Sequence, residues 1–375
     1  MVRNLQFWTI VQQGATNGRV RDTQEERMSA YTVSMEQLPP LFKEWSKRFS
    51  LYVPIQEPSG YYNFAPWSED AEIAWDYDVA YNSLKRFFLP PKEPLISFDN
   101  ETYTAKPVFE APPQLLFGVH PYDLRAINQL DQIMEMGAPD QNYVRRRDAT
   151  MIFAMEPERI AKHAFWASMG AGEVGHGYDL YWTRISPSTF MVEVLSPRGE
   201  ELLRLKGAPP IATLPEREAA KRERIRIRSE AANRSLDFPW TETPKILSRN
   251  WNSPLWRRKS TKCLSCGSCV LVCPTCYCFE IREEVDLTLK QGIRSREWHG
   301  CMLPSFQLVA GGHNFWELAM ERYRHRYFRK GKYIYDKIGE LGCVGCGRCV
   351  RACTAGIANP MAVFNELWEA EHHES

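Results

Sequence analysis

Between residues 114 and 195 the chain switches repeatedly between two hydrophobic periods. Gln114-Leu-Leu-Phe-Gly-Val119, Ala149-Thr-Met-Ile-Phe-Ala-Met155 and Ser188-Thr-Phe-Met-Val-Glu-Val-Leu195 are short apolar runs that read as strands. Tyr122–Met136 and Pro157–Met169 have helical spacing. Strand, helix, strand, helix, strand predicts a partly parallel α/β sheet. Upstream, a helix is expected over Glu69–Phe87, halted by Leu89-Pro90-Pro91, and Glu57-Pro58-Ser59-Gly60 marks a turn. The first sixty residues read as irregular and aromatic-rich. Downstream, Pro215–Arg234 carries seven basic and four acidic residues among helix formers, the pattern of a solvated helix or arm between domains. Phe238–Ser260, with three Pro and three Trp and little periodicity, reads as a packed linker.

The 375 residues exceed what one hydrophobic core usually holds, roughly 250–300 residues, so two domains are expected. The boundary falls near residue 240. The expected class is α+β: a mixed α/β scaffold over 1–240, which would dock partners, then a two-cluster bacterial-ferredoxin-like domain with a helical insertion over 241–375. Lys plus Arg number 47 and Asp plus Glu 46, so charge gives no global bias toward nucleic acid or a membrane surface. No apolar run reaches the length of a transmembrane helix, and the N-terminus lacks a signal-peptide pattern; a cytoplasmic protein is expected.

Cysteine placement changes the picture. All 11 cysteines lie between Cys263 and Cys353. An odd count crowded into one quarter of a long chain does not suit a disulfide scaffold; it suits metal ligation in a reducing compartment. Cys263-x₂-Cys266-x₂-Cys269-x₃-Cys273-Pro274 is the bacterial ferredoxin signature, and Cys343-x₂-Cys346-x₂-Cys349-x₃-Cys353 repeats it with Thr354 in place of proline. Thiolates two residues apart wrap a tight loop around three corners of a cubane. Gly267 and Gly347 stand where the backbone turns sharply toward the cluster. In two-cluster ferredoxins the fourth cysteine of each run ligates the other cluster. Cluster A is therefore assigned to Cys263, Cys266, Cys269 and Cys353, and cluster B to Cys343, Cys346, Cys349 and Cys273. Zinc also uses paired C-x-x-C, but it needs four ligands and gives no reason for two triple runs each followed by x₃-C.

Two oxidised [4Fe–4S] clusters, each contributing about −2, would take the formal charge from +1 to about −3. Arg257, Arg258, Lys259, Lys262, Arg348 and Arg351 are the basic residues expected to answer that charge. Cys276, Cys278 and Cys301 remain. They either pack as buried thiols or form a third metal site with His299, His313 or a partner's ligand.

Cys263–Phe279, Cys301-Met-Leu-Pro-Ser-Phe306, Val309-Ala-Gly-Gly-His-Asn-Phe315, Arg324-His-Arg-Tyr-Phe-Arg-Lys330 and Gly342–Pro360 make the C-terminal half resemble a known family. It is that of the 4Fe–4S dicluster electron-transfer (beta) subunits of soluble [NiFe]-hydrogenases of the sulfhydrogenase type, which has a relative in the anaerobic sulfite reductases. Phe88-Leu-Pro-Pro-Lys-Glu93, Phe117–Leu124 and Ser168-Met-Gly170 extend the resemblance into the N-terminal half. It implies a non-catalytic member of a hetero-oligomer. Such a chain relays electrons between a flavoprotein partner linked to NAD(P) and a [NiFe]-hydrogenase or similar reductase subunit. The alternatives are the electron-input component of an anaerobic sulfite or heterodisulfide reductase-type complex, or a reductase with its own third metal or flavin site. Many relatives carry further N-terminal cysteines; here those places hold Tyr122, Met155, Ala164 and Trp166, so the N-terminal domain is expected to be cluster-free. Tyr122, Phe165 and Trp166 are expected to fill that volume.

Two other patterns are set aside. Gly170-Ala-Gly172-Glu-Val-Gly175 fits G-x-G-x-x-G but follows an expected helix, not a strand. Glu317–Lys332 interleaves basic and aromatic residues, which can bind nucleic acid; lying between the two cysteine runs, it reads instead as a helix that covers the clusters or docks a partner.

Overall fold

The computed structural model of the chain describes residues 29–373. Among them eleven strands form two sheets: β1 (Ala30–Ser34), β2 (Ser50–Gln56), β3 (Tyr62–Pro66), β4 (Lys92–Asp99), β5 (Thr104–Pro107), β6 (Gln114–Val119), β7 (Thr150–Met155), β8 (Leu180–Ser186), β9 (Thr189–Val194), β10 (Phe279–Val285) and β11 (Gln291–Trp298). The larger sheet runs β1-β9-β8-β7-β6-β2-β3. Its centre is parallel, through β2 with β6, β6 with β7 and β7 with β8, and its edges are antiparallel. Every residue of β6 and β7 is buried, which is why both read as unbroken apolar runs. Trp45, from the Leu38–Ser46 helix, packs its ring 5.0 Å from Phe153 and 6.2 Å from Phe117. The class is α+β.

The expected helix at Tyr122–Met136 is present as Pro121–Glu135, and that at Pro215–Arg234 as Leu214–Ala231. The latter is no solvated arm. It lies on β8 and β9, burying Ala220, Ile227 and Ala231, and Arg224 donates to Thr183 Oγ1 at 2.8 Å. Residues 238–260 do pack, as two short helices, Thr243–Arg249 and Leu255–Ser260. Two turns of helix are too short to show a period.

Three further expectations fail. No α-helix spans Glu69–Phe87; only a 3₁₀ turn, Leu84–Phe87, forms there. Its backbone bonds to neighbouring strands instead: Ala74 N–H donates to Pro54 O and Tyr81 N–H to Tyr62 O. Pro157–Met169 is likewise irregular but for Ala167–Met169, because Phe165 N–H is spent on Gly345 O at 2.8 Å. The first sixty residues are not irregular where described: they hold β1, a helix and β2, with Pro39 and Pro40 in the helix's first turn, where proline removes no intrahelical bond. Residues 1–28 lie outside the described residues.

The second sheet, β10-β11-β4-β5, joins residues from both sides of position 240, and β11 pairs antiparallel with β4 from Gln291↔Asp99 to Glu297↔Lys92. The insertion between the cysteine runs therefore opens with a β-hairpin, not only a helix. A second core also spans 240, gathering Val79, Tyr122, Ala126, Phe165 and Trp166 with Trp256, Val270, Tyr327 and Phe364. Among the described residues no helix is long and apolar enough to cross a membrane.

Candidate metal centre

The two cysteine runs fold into matching loops. Each ends in a left-handed glycine that opens a short helix: Gly267 at φ +75° before Ser268–Leu271, and Gly347 at φ +79° before Arg348–Arg351. The residue two after each first cysteine is left-handed too, Ser265 at +52° and Gly345 at +67°. Ser265 N–H points at Cys263 Sγ, 3.4 Å away. The second loop is pressed against residues 163–166. A Cβ on Gly345 would stand 2.7 Å from Trp166 N, and one on Gly347 2.6 Å from the His163 carbonyl, so neither position has room for a side chain.

Cys263, Cys266, Cys269 and Cys353 stand around one cavity of about 420 Å³, with Met302, Tyr323 and Arg326 in its wall. Cys273, Cys343, Cys346 and Cys349 stand around a second of about 370 Å³, with Phe165, Lys330, Arg348 and again Arg326. The last cysteine of each run thus faces the first three of the other. Among the described residues no three His, Cys, Asp or Glu side chains converge as ligands of a single ion would. The thiols line walls instead.

The cavity walls are cationic. Ala319–Phe328 is helical and continues into a π-turn, Arg329–Tyr333. Arg322, Arg326 and Lys330 recur along it every four residues and are all buried, at 5%, 2% and 2% exposure. Arg322 is held by the Trp316 and Glu317 carbonyls and by Ser265 Oγ at 2.9 Å. Lys330 Nζ donates to Thr275 Oγ1 at 2.6 Å. Arg326 Nε and Nη1 have no hydrogen-bond partner. A buried guanidinium with two unpartnered nitrogens, facing two four-thiol cavities, fits an anionic group with acceptor sulfur in each. Burial pushes the Cys269 thiol up to about 11 and Cys346 up to about 12. Cys266, at the surface, moves down because Ser268 donates to it. Cys269 and Cys346 must therefore give up protons to bind metal.

Of the basic residues expected to answer cluster charge, only Arg348 lines either four-cysteine cavity, and it is paired with Asp123 at 2.6 and 2.7 Å. Arg258 and Lys259 reach Glu366 instead, and Arg351 lies 3.8 Å from Asp78. In the sequence Arg326 and Lys330 are legible only as members of a basic run; their four-residue spacing is the signal. Cys276, Cys278 and Cys301 line a third cavity together with His325, while neither His299 nor His313 faces it. His299 packs on Phe306 and His313 on Phe315. Tyr122, Met155, Ala164, Phe165 and Trp166 are all buried, and the Tyr122 and Trp166 rings stack 6.1 Å apart.

Residues 262–357 match the family model of the 4Fe-4S dicluster domain. The chain is also similar to Sulfhydrogenase 2 subunit beta of Pyrococcus furiosus, at 30% identity over 337 residues, which are 89% of this chain and 97% of that relative.

Proposed function

The chain belongs to the sulfhydrogenase beta-subunit family, and from that premise we propose that it is the electron-relay subunit of a hydrogenase-type complex. Its partners on this reading are a flavoprotein linked to nicotinamide on one side and a [NiFe]-hydrogenase or similar reductase subunit on the other. The observation that carries it is the pair of four-thiol cavities with Arg326 in the wall of both. Two [4Fe–4S] clusters bound there supply one-electron carriers at low potential. Cys263, Cys266, Cys269 and Cys353 hold one and Cys343, Cys346, Cys349 and Cys273 the other. Arg326 and Lys330 offset their negative charge, which favours the reduced state. Leu264, 66% exposed beside the surface ligand Cys266, makes the first cavity the one nearest a docked partner. The second is closed by Phe165 and the Gly345 loop. The chemistry on substrate belongs to the partners.

Protein isolated anaerobically should carry at least about eight irons and eight sulfides per chain and show interacting paramagnetic signals on reduction. It should pass electrons from a reduced flavoprotein to an acceptor without consuming hydrogen itself. Four or fewer irons per chain would refute the two-cluster relay.

A further inference from the structure

We propose that Cys276, Cys278 and Cys301 hold a third iron–sulfur cluster, in the cavity of about 770 Å³ that the three thiols line beside cluster B. The proposal rests on the two-cluster reading only in placing the new site next to an existing one.

Folding, not sequence proximity, makes the site. Cys276 and Cys278 follow Cys273 directly, whereas Cys301 lies beyond the β10–β11 hairpin. That hairpin closes on Phe279↔Trp298, and His299 N–H donates to Cys278 O at 3.1 Å. The ends carrying Cys278 and Cys301 are thereby held side by side. Three thiols of one domain, free of disulfides, reach one cavity larger than either four-cysteine cavity.

The wall chemistry asks for an anion that accepts hydrogen bonds. Arg326, Arg329 and Lys330 line the cavity, and no Asp or Glu among the described residues does. Arg329 is bonded to the Tyr277 hydroxyl and Lys330 to Thr275, neither of which neutralises it. Arg326 retains its unpartnered Nε and Nη1. Arg326 and Lys330 also face the four-cysteine cavities, and Arg329 is the cation that faces this cavity alone of the three. A cluster ligated by three thiolates carries negative charge and presents sulfide acceptors, so it satisfies both the thiols and the cations. As each sulfur takes an iron, its thiol releases a proton. His325, its ring 3.9 Å from that of Trp316, is the remaining side chain of metal-ligand type in the wall and the candidate for a fourth iron's ligand. Thr275, Arg326 and Lys330 are shared with the cluster B cavity, so the two centres would be direct neighbours.

The test is iron and sulfide analysis with paramagnetic resonance on the full chain, isolated anaerobically and reconstituted with ferrous iron and sulfide. We expect about 11–12 irons in the wild type, falling to about eight in the C276S/C278S/C301S variant with loss of one reducible species. Cys301→Ser alone, which leaves the residues beside Cys273 intact, should give the same loss if the triple variant does not fold. A wild-type content of about eight, or no loss on substitution, overturns the third site and leaves the two-cluster relay standing. A content of four or fewer overturns both.

Discussion

Arg348 lies between Cys346 and Cys349, two of the proposed cluster B ligands, and its guanidinium is clamped outside the cysteine region. Nη1 and Nη2 bind the two Asp123 oxygens at 2.6 and 2.7 Å, and Nε donates to Ala80 O at 2.6 Å. Side-chain exposure is 1% for Arg348 and 0% for Asp123, so solvent screening does not discount the pair. Removing one partner strands the other charge in the core, at about 3–5 kcal/mol. Against a total stability of about 5–15 kcal/mol, that is a large share. Asp123→Asn and Arg348→Met should each lose that amount. The double variant should lose about 2–3 kcal/mol less than the sum, because neither charge is then left alone. Guanidinium denaturation of the anaerobic holoprotein, by far-ultraviolet circular dichroism and cluster absorbance, gives the cycle. Cluster B signals should broaden or shift in both single variants, since Cys346 and Cys349 flank Arg348. Single losses below about 1 kcal/mol, or losses that simply add, would refute the claim that this pair locks the cluster loop to the Pro121–Glu135 helix.

The proposed crossed ligation makes Cys273→Ser a sharp probe: it should deplete the cluster of the 343–349 loop and spare that of 263–269, as resonance spectra of the two centres would report. Gly347→Ala should destabilise by about 1–3 kcal/mol, with a left-handed φ and a carbonyl 2.6 Å from the new Cβ. Gly339→Ala, at φ +73° in open space, carries only the backbone part, about 1–2 kcal/mol, and thermal unfolding should separate the two. Burial, then the nearby Arg348, holds His120 far below the usual histidine range. Below about pH 6.5 the unfolded chain takes up a proton that the folded chain refuses, so stability should fall by about 1.4 kcal/mol per pH unit as pH drops. His120→Phe, which keeps the ring stack on Tyr77, should flatten that acid limb between pH 6.5 and 5, with no change in slope above pH 7. Chelation of iron should raise hydrogen exchange first in residues 319–333, whose buried cations lose their counter-charge.

The elements that can be read from the chain are those whose determinants are local. β6 and β7 are buried along their whole length and so appear as apolar runs, and the Pro121–Glu135 helix displays its own period. The eight cysteines proposed as ligands announce themselves because a cubane loop needs fixed spacing. What escapes depends on distant partners. Residues 69–83 and 157–166 have helix-compatible composition, yet their N–H groups serve Pro54, Tyr62 and Gly345. β10 and β11 become a sheet edge only by pairing with β4, nearly two hundred residues earlier. Arg326 and Lys330 are hidden for a different reason: in a sequence a cation looks solvated, and only the fold shows it facing inward.

That inward stripe ties the architecture to the chemistry. A helix that buries Arg322, Arg326 and Lys330 along one face would be unstable against an apolar core, since each unpaired charge costs several kcal/mol to desolvate. Arg322 is bonded to three oxygen acceptors but keeps an unpartnered Nε, Lys330 has one oxygen acceptor, and two of the Arg326 nitrogens have none. Favourable burial therefore requires negative charge in the adjoining cavities, where the cysteines stand. On the proposed reading, the eight thiols would hold the clusters after giving up their protons, and the cations of this helix would balance the negative charge, so that cluster binding and packing of the helix would be coupled. The N-terminal sheet has its own all-apolar core of Trp45, Phe117, Phe153 and Trp182 and needs no such charge. Its contribution to the centre is the rigid wall of residues 163–166 against which the second loop, with no room for a Cβ at Gly345 or Gly347, is held in ligating shape.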